Sequence, residues 1–336
     1  MKLTDMKINP FILMVCCCLA VACSTSDLSF PREETLTPEL MPLQGLTNPI
    51  RVEVKHPFLI LQNMKQRDSI FHIYDLTSHT LKSVFGVMGE GPKDLVAPWL
   101  FQTQLPGFLI TDLGKNLIYR SEIDEEGQPV LRDTKQPGYI EGANEAAFIN
   151  DSLFVVDARY TAPSLYLFDL PDELPKKTWT YRNPDIVDYM VDPNMGNVYA
   201  NESRIVFCYG YKKQIDFMDT DFNLIRRVKF KYAYPTVISS ENNGDDKVSY
   251  VYGYLGKRYL YVLFFGTSWK ENRANSTRGT FLEVFDLDGN PIVRYHLDGR
   301  RPVYFAVDEE TFTLYGAGED GDPEDNLLVY KLKGLS

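Results

Sequence analysis

Three glycines and a lysine fall within residues 86–93 (GVMGEGPK), the composition of a phosphate-cradling loop. Such a loop needs Gly-Lys followed by Ser or Thr at the opening of a helix, whereas here Pro92 precedes Lys93 and Asp94 follows it. The segment therefore reads as a turn, with Glu90, Lys93 and Asp94 as candidates to face a partner. The four histidines, His56, His72, His79 and His296, show neither HExxH nor paired i, i+4 spacing, so no zinc motif is present. DLDGN (286–290) opens like a calcium loop, but Pro291 and Leu297 stand where the loop requires glycine and glutamate. AGEDGDPEDN (317–326) gathers Glu319, Asp320, Asp322, Glu324 and Asp325. Ca2+ or another divalent ion is the one ion with a donor set here, although a solvated acidic loop explains the same residues, and no cofactor is otherwise expected. No GxSxG elbow exists, and Cys208 lies in IVFCYG, where burial keeps a thiol protonated and inert. Carboxylates are too many to single out a general acid and base, so no catalytic residue is assigned.

The elements that must position these groups are strands. Apolar runs at 58–61 (FLIL), 108–111 (FLIT), 153–156 (LFVV), 204–207 (RIVF), 260–265 (LYVLFF) and 312–315 (FTLY) are each followed by a polar loop and a second run. The second runs end in a repeated marker, Tyr74, Tyr119, Phe168, Met218, Phe285 and Tyr330, at spacings of 45, 49, 50, 67 and 45. Six strand-rich repeats of this length predict an all-β, six-bladed β-propeller. Third runs at 81–85, 224–230 and 291–297 supply outer strands, and the long interval holds a polar insert, 266–280, read as a loop. The sixth repeat ends without a third run, which predicts closure by an N-terminal strand drawn from residues 30–46. Loops between first and second runs open on the channel face. They offer Arg159, Tyr160, Tyr211, Lys212, Trp269, Lys270 and Arg278, residue types enriched at binding hot spots.

FGVMGEGPKDL (85–95), with Gly89, Gly91, Pro92 and Asp94 in a Gly-x-Gly-Pro-x-(Glu or Asp) turn, resembles the TolB-like six-bladed β-propeller lipoproteins of Gram-negative bacteria. FPREETL (30–36) and DLDGNP (286–291) are similar to that family too. The resemblance implies the fold and a place in the cell envelope, and no particular reaction.

The address is written at the N-terminus. Lys2 and Lys7 precede the apolar run FILMVCCCLAVA (11–22) and Cys23, a pattern that predicts a lipoprotein signal peptide over 1–22. Cys23 would then carry the lipid, 23–29 would form the tether and 30–336 the propeller, in an exported, outer-membrane lipoprotein. Cys208 is the one thiol left after Cys23 is modified, so no disulfide framework holds the fold. With 35 Lys and Arg against 46 Asp and Glu, the formal net charge of −11 excludes a nucleic-acid binder. These features predict a binding module for a protein or glycan of the envelope. The alternative is a metal-dependent hydrolase or lyase with a divalent ion held by carboxylates in the central channel. Convergence of such carboxylates would mark the enzyme and a plugged channel the binder. If Cys23 is the anchor, Cys23→Ser moves the protein from the membrane to the soluble fraction; unchanged retention, scored by fractionation and immunoblot, contradicts it.

Overall fold

The computed structural model describes residues 28–45, 48–63, 66–135, 145–159, 163–170, 172, 174–238, 245–274, 280–318 and 326–335. Cys23 and the signal segment, Tyr160, Arg278 and the acidic residues 319–325 lie outside them.

Six antiparallel sheets stand in a ring, each running from an inner strand to an outer one. Blade 1 is β3 (Pro49–Lys55), β4 (Phe58–Asn63), β5 (Phe71–Asp75) and β6 (Leu81–Phe85). Blade 2 is β7 (Pro98–Phe101), β8 (Phe108–Asp112), β9 (Leu117–Ile123) and β10 (Pro129–Lys135). Blade 3 is β11 (Glu145–Phe148), β12 (Leu153–Asp157), β13 (Ser164–Asp169) and β14 (Lys177–Thr180). Blade 4 is β15 (Gly196–Ala200), β16 (Ile205–Tyr209), β17 (Gln214–Met218) and β18 (Leu224–Lys229). Blade 5 is β19 (Tyr250–Leu255), β20 (Tyr259–Phe264), β21 (Thr280–Asp286) and β22 (Pro291–Leu297). Blade 6 holds β23 (Pro302–Asp308), β24 (Thr313–Gly318) and β25 (Asn326–Lys331).

The sheets hide their faces against one another. Phe71, Ile73, Leu100 and Phe108 pack between blades 1 and 2, and Val155, Leu165, Ile205 and Phe207 between blades 3 and 4. Cys208 is buried among Val206, Ile215 and Phe217 between blades 4 and 5, and burial pushes its thiol pKa well up, as its apolar surroundings predicted. Because the apolar residues lie between sheets, the innermost strands are free to carry polar groups toward the axis.

The turns between the third and fourth strands of the blades repeat one device. Asp75, Asp124, Asp219 and Asp286 each accept two backbone N–H bonds with Oδ1, for example from Asp288 at 3.0 Å and Asn290 at 2.8 Å. Asp286 of DLDGN is thus spent on its turn, where Gly289 takes φ +78°. The insert 266–280 departs from the expected loop, because Trp269–Ala274 forms helix α1. Ser268 Oγ accepts from Glu271 N–H at 3.1 Å, while Ser268 N–H donates to the Glu271 carboxylate at 3.0 Å. This reciprocal cap closes the first turn.

Blade 6 takes its fourth strand from the other end of the chain. β2 (Glu39–Pro42) pairs antiparallel with β25, and β1 (Glu33–Leu36) runs parallel to β22 on the outside of blade 5. Leu36, Met41 and Leu43 are buried with the blade 5, 6 and 1 core, and Arg32 donates to the carbonyls of Lys333 and Gly334. Burying each of these side chains is worth about 1.5 to 3 kcal/mol. Deleting residues 24–46 removes both strands and is expected to cost several kcal/mol, with a lower melting temperature in a calorimetric scan. An unchanged melting temperature would show that these strands do not hold the ring.

Candidate functional site

Connections between blades and between second and third strands share one face of the ring. In blade 1 the two are bonded together, Met88 N–H to Arg67 O at 2.7 Å and Ile70 N–H to Gly86 O at 3.1 Å. Each inner strand enters from this face, so its first residues line the channel mouth and its last lie at the far end.

The opposite end is plugged. After β7 the chain crosses the axis, and Gln102 bonds to β19 of the facing blade, accepting from Leu255 N–H at 2.9 Å and donating to Gly253 O at 3.3 Å. Gln104 donates to Leu255 O at 2.9 Å and to the Tyr254 hydroxyl at 3.1 Å. From blade 1, Lys55 donates to the carbonyls of Thr103 and Leu105 and pairs with the buried Glu53 at 3.1 Å. Burial raises the Glu53 pKa, Lys55 opposing. Among the described residues, the channel is therefore closed at this end, and its other end lies at the connection face.

Arg51 stands at that mouth. Its guanidinium carbon lies 4.7 Å from the ring centroids of both Trp99 and Tyr304, so blades 1, 2 and 6 bring two aromatic rings to one cation. Tyr252 packs edge-on against Tyr304 at 5.3 Å. Glu145, the first residue of β11, faces the same space. It is half-buried yet surrounded by protein, and burial raises its pKa, with Arg159 and Arg51 pulling the other way. Arg159 reaches over from blade 3, pairs with the buried Asp157 at 3.0 Å and donates to Gly196 O at the entry of β15. Asp157 also accepts from the Tyr181 hydroxyl at 2.6 Å. Tyr211 lies within electrostatic reach of Arg159, and burial raises its pKa. Lys212 donates to Asn194 Oδ1 and sits 5.1 Å from the Tyr234 ring, its pKa lowered by burial.

Of the residues singled out from sequence, Arg159, Tyr211 and Lys212 come together at the mouth. Glu90 and Lys93 are exposed on the blade 1–2 turn, while Asp94 turns inward and accepts from Gly91 N–H at 2.9 Å. A Cβ on Gly89 or Gly91 would come 2.4 or 2.6 Å from that carboxylate oxygen, which explains why both positions are glycine. Trp269 packs edge-on against Phe265 at 5.1 Å, and Lys270 pairs with Asp245 at 3.1 Å. Arg51, Trp99, Glu145, Tyr252 and Tyr304 were not singled out, because they sit on inner strands that the repeat left unmarked. The same face exposes Val187, Met190, Tyr234 and Val237, on connections joined by the Ile238 N–H to Val191 O bond at 2.9 Å.

Among the described residues, one group of three could offer ligand atoms to a metal: His56, Asp308 and Glu310, within 4.8 Å of one another. It lies at the opposite face, beyond the last residues of β3 and β23. Asp308 already accepts from Glu310 N–H at 2.9 Å and Thr311 Oγ1 at 2.8 Å. At the mouth, the carboxylate of Glu145 lies within electrostatic reach of Arg159, Arg51 and the Asp157 carboxylate, and Asp157 is itself paired with Arg159.

Ring, plug and mouth define a six-bladed β-propeller with a one-sided channel. The family model described as TolB-like 6-blade propeller-like matches residues 199–310, a third of the chain, from the end of β15 in blade 4 through blade 5 to the inner strand of blade 6. The resemblance seen at residues 85–95 is thus borne out from a separate part of the sequence. A DUF4221 family member from Bacteroides vulgatus is similar in structure, with a TM-score of 0.58 at 14% identity, over 88% of this chain and 97% of that one. The C-terminal WD40 domain of Sif2 gives a TM-score of 0.39 at 10% identity, over 85% of this chain and 70% of that one. Chaetomium thermophilum Raptor gives 0.48 at 10% identity, over 90% of this chain and 29% of that one. The first likeness speaks to fold alone. No curated protein matches the chain.

Glu145 yields a pH test. With a folded pKa above the ordinary 4.5, its carboxyl binds a proton more tightly in the native than in the unfolded state. The wild type should therefore gain stability relative to Glu145→Gln as pH falls through the raised value toward 4.5, and be the less stable of the two at pH 7. Melting temperatures measured from pH 7 to pH 4 that keep a constant difference would contradict this environment for Glu145.

Proposed function

We propose that the protein is a non-catalytic binding module of the cell envelope, held there through Cys23, whose connection face recognises a protein partner. The observation that carries this reading is the blind channel: its mouth gathers Arg51, Arg159, Trp99, Tyr211 and Tyr304, and its far end is filled by residues 102–105. Arginine, tyrosine and tryptophan contribute most per residue at interfaces, because they bury large area at modest entropic cost while keeping polar contacts. Val187, 90% exposed, and Val237, 52% exposed, add an apolar rim on the same face. Such a rim favours a protein over a glycan, since sugar hydroxyls gain nothing from isolated valines.

Capture from envelope extract tests it. The wild type is compared with Arg159→Ala/Tyr211→Ala, with Val187→Asp/Val237→Asp, and with Lys257→Ala/Glu310→Ala on the opposite face, each with and without EDTA. The reading predicts that the first two variants lose the same captured protein at least tenfold while the third keeps it, and that EDTA changes nothing. Loss confined to the third variant, or to EDTA, overturns it.

A further inference from the structure

We infer that Arg51 is an anchor for a carboxylate presented by the polypeptide partner. This rests on the binding-module reading and names the chemistry of its central contact. The guanidinium carbon lies over both rings, 4.7 Å from each centroid. A planar guanidinium held against aromatic rings still directs its N–H donors outward in its own plane, the geometry that meets a carboxylate in two parallel bonds. Among the described residues, one of those donors is spent on the protein, Nη1 to Ile50 O at 2.9 Å. Among the described residues no carboxylate pairs with Arg51 within 4.0 Å, whereas Arg159 at the same mouth is already paired with Asp157. Stacking also fixes the side chain in advance, so less rotamer freedom is lost when the anion arrives. The net charge of −11 sets the valence: a polyanion would be repelled by the body of the protein, and with Glu145 within electrostatic range of Arg51 a single further carboxylate suits the site. The exposed Val187, Met190, Tyr234 and Val237 on the same face give an attached polypeptide an apolar surface to cover, which a free small acid would leave bare.

The carboxylate could belong to an acidic side chain or to a chain terminus, and the probes separate them. N-acetylglutamate N-methylamide carries the first and N-acetylalanine the second; N-acetylglutamine N-methylamide and N-acetylalanine N-methylamide are their uncharged counterparts. Binding is read by titration calorimetry or by NMR shifts of the full chain at millimolar probe. At least one acid should bind tenfold or more above its amide, and Arg51→Gln should reduce that ratio to near one. Arg51→Lys should recover only part of it, because an ammonium cannot make the paired contact. Equal binding of acid and amide by the wild type, absence of acid binding, or an acid preference retained in folded Arg51→Gln overturns the inference. Glucuronate binding above both acids overturns the polypeptide source. If capture still depends on Arg159 and Tyr211 while the acid preference is missing, the module stands and the carboxylate falls.

Discussion

Each four-stranded sheet has two apolar faces that only a neighbouring sheet can cover, and this single requirement organises the molecule. It forces the sheets into a ring and puts the core between blades, as with Phe71 against Phe108 in the blade 1–2 cluster. The axis is then the least apolar part of the interior. Polar groups that would be costly in a conventional core can line it, provided each finds a partner or keeps contact with water. Lys55, Gln102 and Gln104 meet that condition by bonding across the axis to carbonyls of other blades. Arg51 and Glu145 meet it by facing the open mouth.

The plug changes what the ring can do. Because Gln102 and Gln104 tie the blade 2 connection to β19 of the facing blade, the far end of the axis is closed. The groups around the mouth come from all six blades, so their mutual placement depends on ring geometry and not on any one loop. Glu145 illustrates the coupling, for both Arg51 and Arg159 act on it although they belong to different blades.

Much of the fold was legible in the sequence. Second and third strands bury both faces and read as apolar runs with aromatic markers, which is why FLIL and IFHIYD stood out. Inner strands did not, since β7 (PWLF) and β11 (EAAF) are four residues long and mix channel-facing Glu and Trp with core residues. That is also why Arg51, Trp99, Glu145 and Tyr304 escaped notice while Arg159 and Tyr211, on loops that could be counted, did not. Arg51 meets its two rings only because blades 6, 1 and 2 adjoin in the closed ring, and no spacing in the chain encodes that meeting. Helix α1 had a signal, Ser268 with Glu271 three residues on, hidden inside a stretch judged by its polarity.

The central claim is that recognition happens on one face of the ring, around the blind mouth. A photo-crosslinking residue placed at position 211, beside Arg159, and in a second protein at position 257, on the far turn of blade 5, measures this in intact cells. The account predicts a discrete protein adduct from position 211 and none from position 257. An adduct from position 257 with none from position 211 would contradict it.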